Sequence, residues 1–110
     1  MPDLCLTVDL EPDCPPYLSG WTGVELGMPE VLDLFARNDV LATVFATGES
    51  AERYPDLIRR IVDAGHELGC HGHSHRSFSE LGPDEAERDI TRSAELLRGF
   101  APVTSFRAPY

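Results

Sequence analysis

At 110 residues the chain is expected to form a single domain over residues 1–110, large enough to bury a core but near the small end of independently folding units. Its formal charge of −10 comes from 19 acidic residues against nine basic ones, all of them Arg. Such a field repels nucleic acid and anionic lipid, so neither is expected as a partner, and no stretch is long and apolar enough to cross a bilayer. No basic segment followed by an apolar run opens the chain. Cys5, Cys14 and Cys70 show no pairing pattern and read as reduced thiols. A cytoplasmic location is the expectation.

Residues 4–10 form an apolar run that predicts a buried strand, with Cys5 packed inside it. Asp9 lies within that run, and a buried carboxylate needs a partner, which marks it as functional. Glu11 and Asp13 follow at alternate positions. Residues 12–27 make a Pro/Gly-rich loop whose aromatics, Tyr17 and Trp21, either stack on a ligand ring or cover the core. Pro29 opens a helix to about residue 38, with Val31, Leu32, Leu34 and Phe35 as its apolar stripe. A second strand spans residues 40–46, and a helix spans residues 49–65 with Gly65 as its C-terminal cap. Residues 67–71 predict a third strand, 83–99 a last helix with Ala86, Ile90, Ala94 and Leu97 inward, and 103–106 a fourth strand. This β-α-β-α-β-α-β order means a parallel sheet with helical crossovers, an α/β fold. Functional residues then belong at the C-terminal strand ends, where Asp9, His71 and Arg107 all fall.

All four histidines lie within residues 65–75, three of them at alternate positions: His71, His73 and His75. Neutral imidazole is the commonest side-chain metal ligand, and such crowding points to a metal site. In a helical turn, His71 and His75 are neighbours at i, i+4, and a strand-end carboxylate completes the set. In an extended segment all three imidazoles share one face. Gly69, Gly72 and Ser74 favour the turn. The side chain of Cys70 is expected to point away from that of His71. Two His and one carboxylate suit a catalytic Zn²⁺, with Co²⁺, Ni²⁺ or Mn²⁺ as alternatives.

Thr7-Val8-Asp9, the segment His71-Gly72-His73-Ser74-His75, and Phe106-Arg107-Ala108-Pro109-Tyr110 together resemble the first three motifs of the polysaccharide deacetylases. The connecting text, Gly27-Met28-Pro29 and Ala42-Thr43-Val44-Phe45, is similar too. The resemblance implies the N-terminal portion of an irregular (β/α) barrel and a metal-dependent hydrolase that removes N-acetyl groups from an N-acetylated sugar. It implies Asp9 as general base, His71 and His75 as metal ligands, and Arg107 as the residue that orients Asp9. The backbone N–H of Tyr110 would help bind the oxyanion, while His73 occupies a variable position.

The sequence departs from the family pattern in two places. Leu10 stands where a second Asp, the carboxylate ligand, is usual, so Glu11 is the expected substitute, with Asp9 itself as the alternative. That change tilts the expected substrate toward a smaller N-acylated sugar or amide. The family also runs further and supplies a later His as general acid, whereas no His follows His75. Four strands do not close a barrel, so a C-terminal segment or a partner, such as a second copy, is expected to cover the open sheet edge. The rival functions are an allantoinase-like amidase on a non-sugar C–N bond and a non-catalytic metal- or sugar-binding domain.

Overall fold

The computed structural model describes residues 2–15 and 17–110. Three parallel strands, β1 (Thr7–Leu10), β2 (Thr43–Ala46) and β3 (Glu67–Cys70), lie side by side in chain order. Among the described residues four α-helices accompany them: α1 (Met28–Arg37), α2 (Gly48–Arg53), α3 (Pro55–Asp63) and α4 (Pro83–Arg98). The register aligns Leu10, Ala46 and Cys70, so all three strands end at one rim. Parallel strands buried under helices read as apolar runs, which is why these segments were legible.

Side-chain alternation divides the sheet into two faces. Leu10, Val44, Ala46, Leu68 and Cys70 enter the core with Ile58 and Ile61 of α3 and Leu97 of α4, none more than 3% exposed. The other face carries Thr7, Asp9 and Phe45, and the Arg107 guanidinium lies 4.4 Å over the Phe45 ring. No described helix is long and apolar enough to cross a membrane.

The α/β alternation holds, and several boundaries differ. β1 starts at Thr7, which pairs with Thr43 at the start of β2; the Thr43 N–H bonds the Leu6 carbonyl, while Leu4 and Cys5 are exposed. Cys5 is therefore not a core residue. The 12–27 loop ends in a π-helical turn, Gly23–Gly27, that runs directly into α1. On α1 Met28 and Leu32 are buried, Val31 packs half-buried against the core, Phe35 lies half-buried with its ring 5.7 Å from that of His66, and Leu34 faces solvent. The helix expected over 49–65 is two helices. Pro55 cannot donate to a continuing helix and forces Tyr54 out of the helical region (φ −129°, ψ 56°), so α3 restarts with proline in its first turn. Gly65 caps that unit at φ +91°.

The fourth strand reduces to one parallel bridge, Cys70 with Phe106, flanked by bonds from Cys70 N–H to Ser105 and from Arg107 N–H to Cys70. Pro102 has no N–H to give, and the Val103 carbonyl is taken by Arg98, whose Nε and Nη2 donate at 3.2 and 3.1 Å. The short bridge still brings Arg107 alongside the rim.

Candidate metal centre and acid–base pair

Glu11 follows β1, and His71 follows β3. Glu11 Oε2 lies 2.8 Å from His71 Nε2 and 2.5 Å from His75 Nε2. The three ligand atoms fall within 4.8 Å of one another, with both imidazoles buried and the carboxylate half-buried. Strand alternation explains the choice of acid. Leu10 points into the core at 3% exposure, so the residues on either side of it, Asp9 and Glu11, look the opposite way. An Asp at position 10 would have entered the hydrophobic layer.

The histidine segment adopts neither of the two expected shapes. It is not a helical turn, because Gly72 and His75 have φ of +75° and +54°. It is not extended either, since those two left-handed residues fold the chain back and set the His71 and His75 rings 5.2 Å apart. His73 turns away from the pair. Its ring is buried under Gly48, with Nε2 3.8 Å from Glu52. Cys70 also points away from His71, as expected, and its Sγ lies 3.1 Å from Ser93 Oγ.

Nδ1 of His71 is 2.7 Å from the Arg107 carbonyl, which can only accept, so Nδ1 carries the proton. In a neutral ring Nε2 then presents a lone pair to the Glu11 carboxylate, acceptor against acceptor. A positive species between them, a proton or a cation, resolves that conflict. A backbone carbonyl fixing the tautomer of a ligating imidazole is the usual device at metal sites. The donor set, two imidazole nitrogens and one carboxylate, therefore fits a divalent ion such as Zn²⁺.

Asp9 stands beside this cluster, with Oδ2 3.9 Å from His71 Nε2. Its other oxygen accepts from Arg107 Nη1 at 2.8 Å, and the same Nη1 reaches Thr7 Oγ1 at 3.1 Å. Asp9 is not buried as its apolar setting suggested. Its side chain is 34% exposed because β1 is an edge strand and Asp9 sits on the uncovered face. Of the two acids, Glu11 rather than Asp9 faces both imidazoles.

Tyr110 (φ +63°) borders the cluster through its ring, centred 4.9 Å from that of His75, and its hydroxyl donates to the Pro15 carbonyl. This ties the rim to the 12–27 loop. The loop is braced by Asp13, whose carboxylate accepts from the N–H groups of Thr22 and Gly23 at 2.7 and 2.9 Å. Of the two loop aromatics, Trp21 covers the core, 5.7 Å from Tyr54 and under Arg53, while Tyr17 is 85% exposed.

Sequence reasoning passed over Asp89, whose carboxylate accepts from His73 N–H at 2.8 Å. It also gave no role to Gly48, whose N–H bonds the Gly72 carbonyl at 2.9 Å. Neither carried a signal beyond an ordinary helix-surface acid and a glycine opening a helix.

The family model for polysaccharide deacetylase matches residues 3–110. The chain is 36% identical over 85 residues to a peptidoglycan-N-acetylglucosamine deacetylase of Bacillus cereus, covering 74% of this chain and 30% of the relative. It is 40% identical over 85 residues to a chitooligosaccharide deacetylase of Sinorhizobium fredii, covering 74% of this chain and 40% of the relative. Among solved structures, a peptidoglycan N-acetylglucosamine deacetylase in complex with 4-naphthalen-1-yl-N-oxidanyl-benzamide superposes with a TM-score of 0.79 and 32% identity. That match covers 96% of this chain and 45% of the other. The chain thus spans 30% to 45% of the length of these proteins, and its strands and helices are part of the irregular (β/α) barrel they share. The chain belongs to the polysaccharide deacetylase family.

Proposed function

We propose that this protein hydrolyses the N-acetyl group of an N-acetylated sugar, releasing acetate and the free amine, with a divalent metal ion at the rim of the sheet. The observation that carries the reading is the meeting of Glu11, His71 and His75 around one point, with Asp9 3.9 Å from His71 and anchored by Arg107. Glu11, His71 and His75 hold the ion, Zn²⁺ first and Co²⁺, Ni²⁺ or Mn²⁺ as alternatives. A divalent ion there supplies Lewis acidity, lowering the pKa of water to roughly 7 and polarising the amide carbonyl.

The chain's own groups do the rest. With Oδ1 engaged by Arg107, Asp9 keeps Oδ2 free to take the proton of the attacking water. Arg107 fixes the carboxylate's direction. The Tyr110 ring borders His75, and in this reading its peptide N–H donates to the developing oxyanion, which can contribute about 3 kcal/mol. The substrate class follows the relatives, named as acting on peptidoglycan N-acetylglucosamine and chitooligosaccharide.

The test combines a calorimetric titration with Zn²⁺ and an acetate-release assay on N-acetylated chitooligosaccharides. One ion per chain, lost in Glu11→Ala, together with acetate release that needs the ion, is the expected result. A chain that binds no divalent ion and releases no acetate would overturn the proposal.

A further inference from the structure

We infer that Asp89 on α4 is the positioning residue that folds the histidine segment into its ligating shape. The inference rests on the metal-site reading above and extends it to a residue outside the three motifs.

His71 and His75 converge only because the intervening backbone turns back through two left-handed residues. Such a turn costs free energy in a non-glycine residue like His75 and persists where surrounding contacts over-determine it. Two elements supply those contacts. On one side, the first amides of α2 bond the segment: Gly48 N–H to the Gly72 carbonyl at 2.9 Å and Glu49 N–H to the His73 carbonyl at 3.1 Å. On the other side, Asp89 Oδ1 accepts from His73 N–H at 2.8 Å, and Ser74 Oγ reaches Oδ2 at 3.5 Å.

The fit around Asp89 is close. A Cβ on Gly72 would lie 3.0 Å from Asp89 Oδ1, so the turn and the carboxylate occupy adjoining space. The half-buried carboxylate makes no ion pair among the described residues. It serves the segment rather than a neighbouring Arg. Among the described residues Asp89 makes no hydrogen bond or ion pair with Glu11, His71 or His75, so its influence on the ion runs through the backbone between the two imidazoles. Groups that orient ligands in this way typically change metal affinity 10- to 100-fold when removed.

The experiment compares Asp89→Ala and Asp89→Asn in the full chain by two readouts. The first is Zn²⁺ affinity by calorimetry. The alanine variant is expected to bind about 10- to 100-fold more weakly, and the asparagine variant, whose amide oxygen still accepts from His73 N–H, to stay within about threefold of the parent. The second readout needs no metal: the ring-to-ring NMR contact between His71 and His75, expected to vanish in Asp89→Ala and survive in Asp89→Asn. If the alanine variant does not fold, Asp89→Ser, polar but too short to reach His73 N–H, carries the same expectation. Parent-like affinity with the ring contact retained in the alanine or serine variant overturns the inference. If the parent itself binds no ion, the metal-site reading fails, and the ring contact alone decides the role of Asp89.

Discussion

Arg107 and His71 are joined through the backbone of the first and the side chain of the second: the Arg107 carbonyl accepts from His71 Nδ1 at 2.7 Å. The Arg107 guanidinium meanwhile grips Asp9 at 2.8 Å. One residue thus sets both the tautomer of His71, a proposed metal ligand, and the direction of Asp9, the proposed base, by two parts that substitution can separate.

Replacing Arg107 by Met removes the guanidinium and leaves the carbonyl. Losing a hydrogen bond to a charged group is worth about 1.5–3 kcal/mol, or roughly 10- to 100-fold in rate. The expected outcome is a fall of that size in kcat for acetate release, with Zn²⁺ content unchanged. Arg107→Lys should restore part of it, since an ammonium supplies the charge without the planar fork. Loss of metal from the Met variant would place the residue's role in the wrong half of the site.

Asp9 and Glu11 are two positions apart on one face and are expected to fail differently. Asp9→Asn keeps the shape and abolishes the base, so kcat should drop by about 10²- to 10⁴-fold while the ion stays bound. Glu11→Ala should release the ion at any given Zn²⁺ concentration. Paired metal analysis and rate measurements on both variants check this. A binding domain without catalysis would show no kinetic difference between Asp9→Asn and the parent.

The contrast between those two acids marks how far the sequence could be read. Asp9, His71 and Arg107 were legible because parallel α/β topology sends strand ends to one rim, and His75 because it lies four residues from His71 in a histidine-rich run. Glu11 was legible only through the family resemblance, and the alternation across the buried Leu10 is what the structure adds. The shape of the histidine segment was not legible. Periodicity distinguishes helix from strand, and a turn with left-handed residues at Gly72 and His75 is neither. The break at Pro55 was visible in the sequence, but the apolar spacing of Leu57, Ile58 and Ile61 continued past it and masked the boundary. Asp89 was out of reach, since its partner lies 16 residues away and only tertiary packing brings them together.

His66 gives the fold a pH dependence separate from the site. The ring is 7% exposed, and its Nδ1 accepts from Ala42 N–H at 3.1 Å, which only the unprotonated nitrogen can do. Burial pushes its pKa below the usual 6.5. The unfolded chain therefore binds this proton more readily than the folded one. The contribution to stability is fully present above pH 6.5 and is lost as pH falls toward the folded-state pKa. Urea unfolding midpoints should decline from about pH 7 to pH 5, and His66→Gln, which can still accept from Ala42, should flatten that slope. An equal slope in the variant would assign the effect to other groups.

The packing of Gly48 against His73 supplies a stringent test of how the segment is held. A Cβ at Gly48 would collide with His73 Nδ1 and come within 2.9 Å of Cε1 and 3.1 Å of Cγ. His73 is only 6% exposed, so its ring must shift against packed neighbours before the methyl can enter. Overpacking of this kind costs about 1–3 kcal/mol, whereas the gain from alanine over glycine in a helix is at most about 1 kcal/mol, so the clash wins. Gly48→Ala should lower the melting temperature by several degrees. It should also weaken Zn²⁺ binding, because His73 belongs to the backbone segment that joins the two proposed ligands, His71 and His75. His73→Ala leaves a void and is expected to destabilise on its own. Combined with Gly48→Ala it should cost less than the sum of the two single changes, since the added methyl then enters the space the ring vacated. A double-mutant cycle by thermal unfolding measures that coupling, and strict additivity would show that the close approach of Gly48 and His73 does not hold the turn.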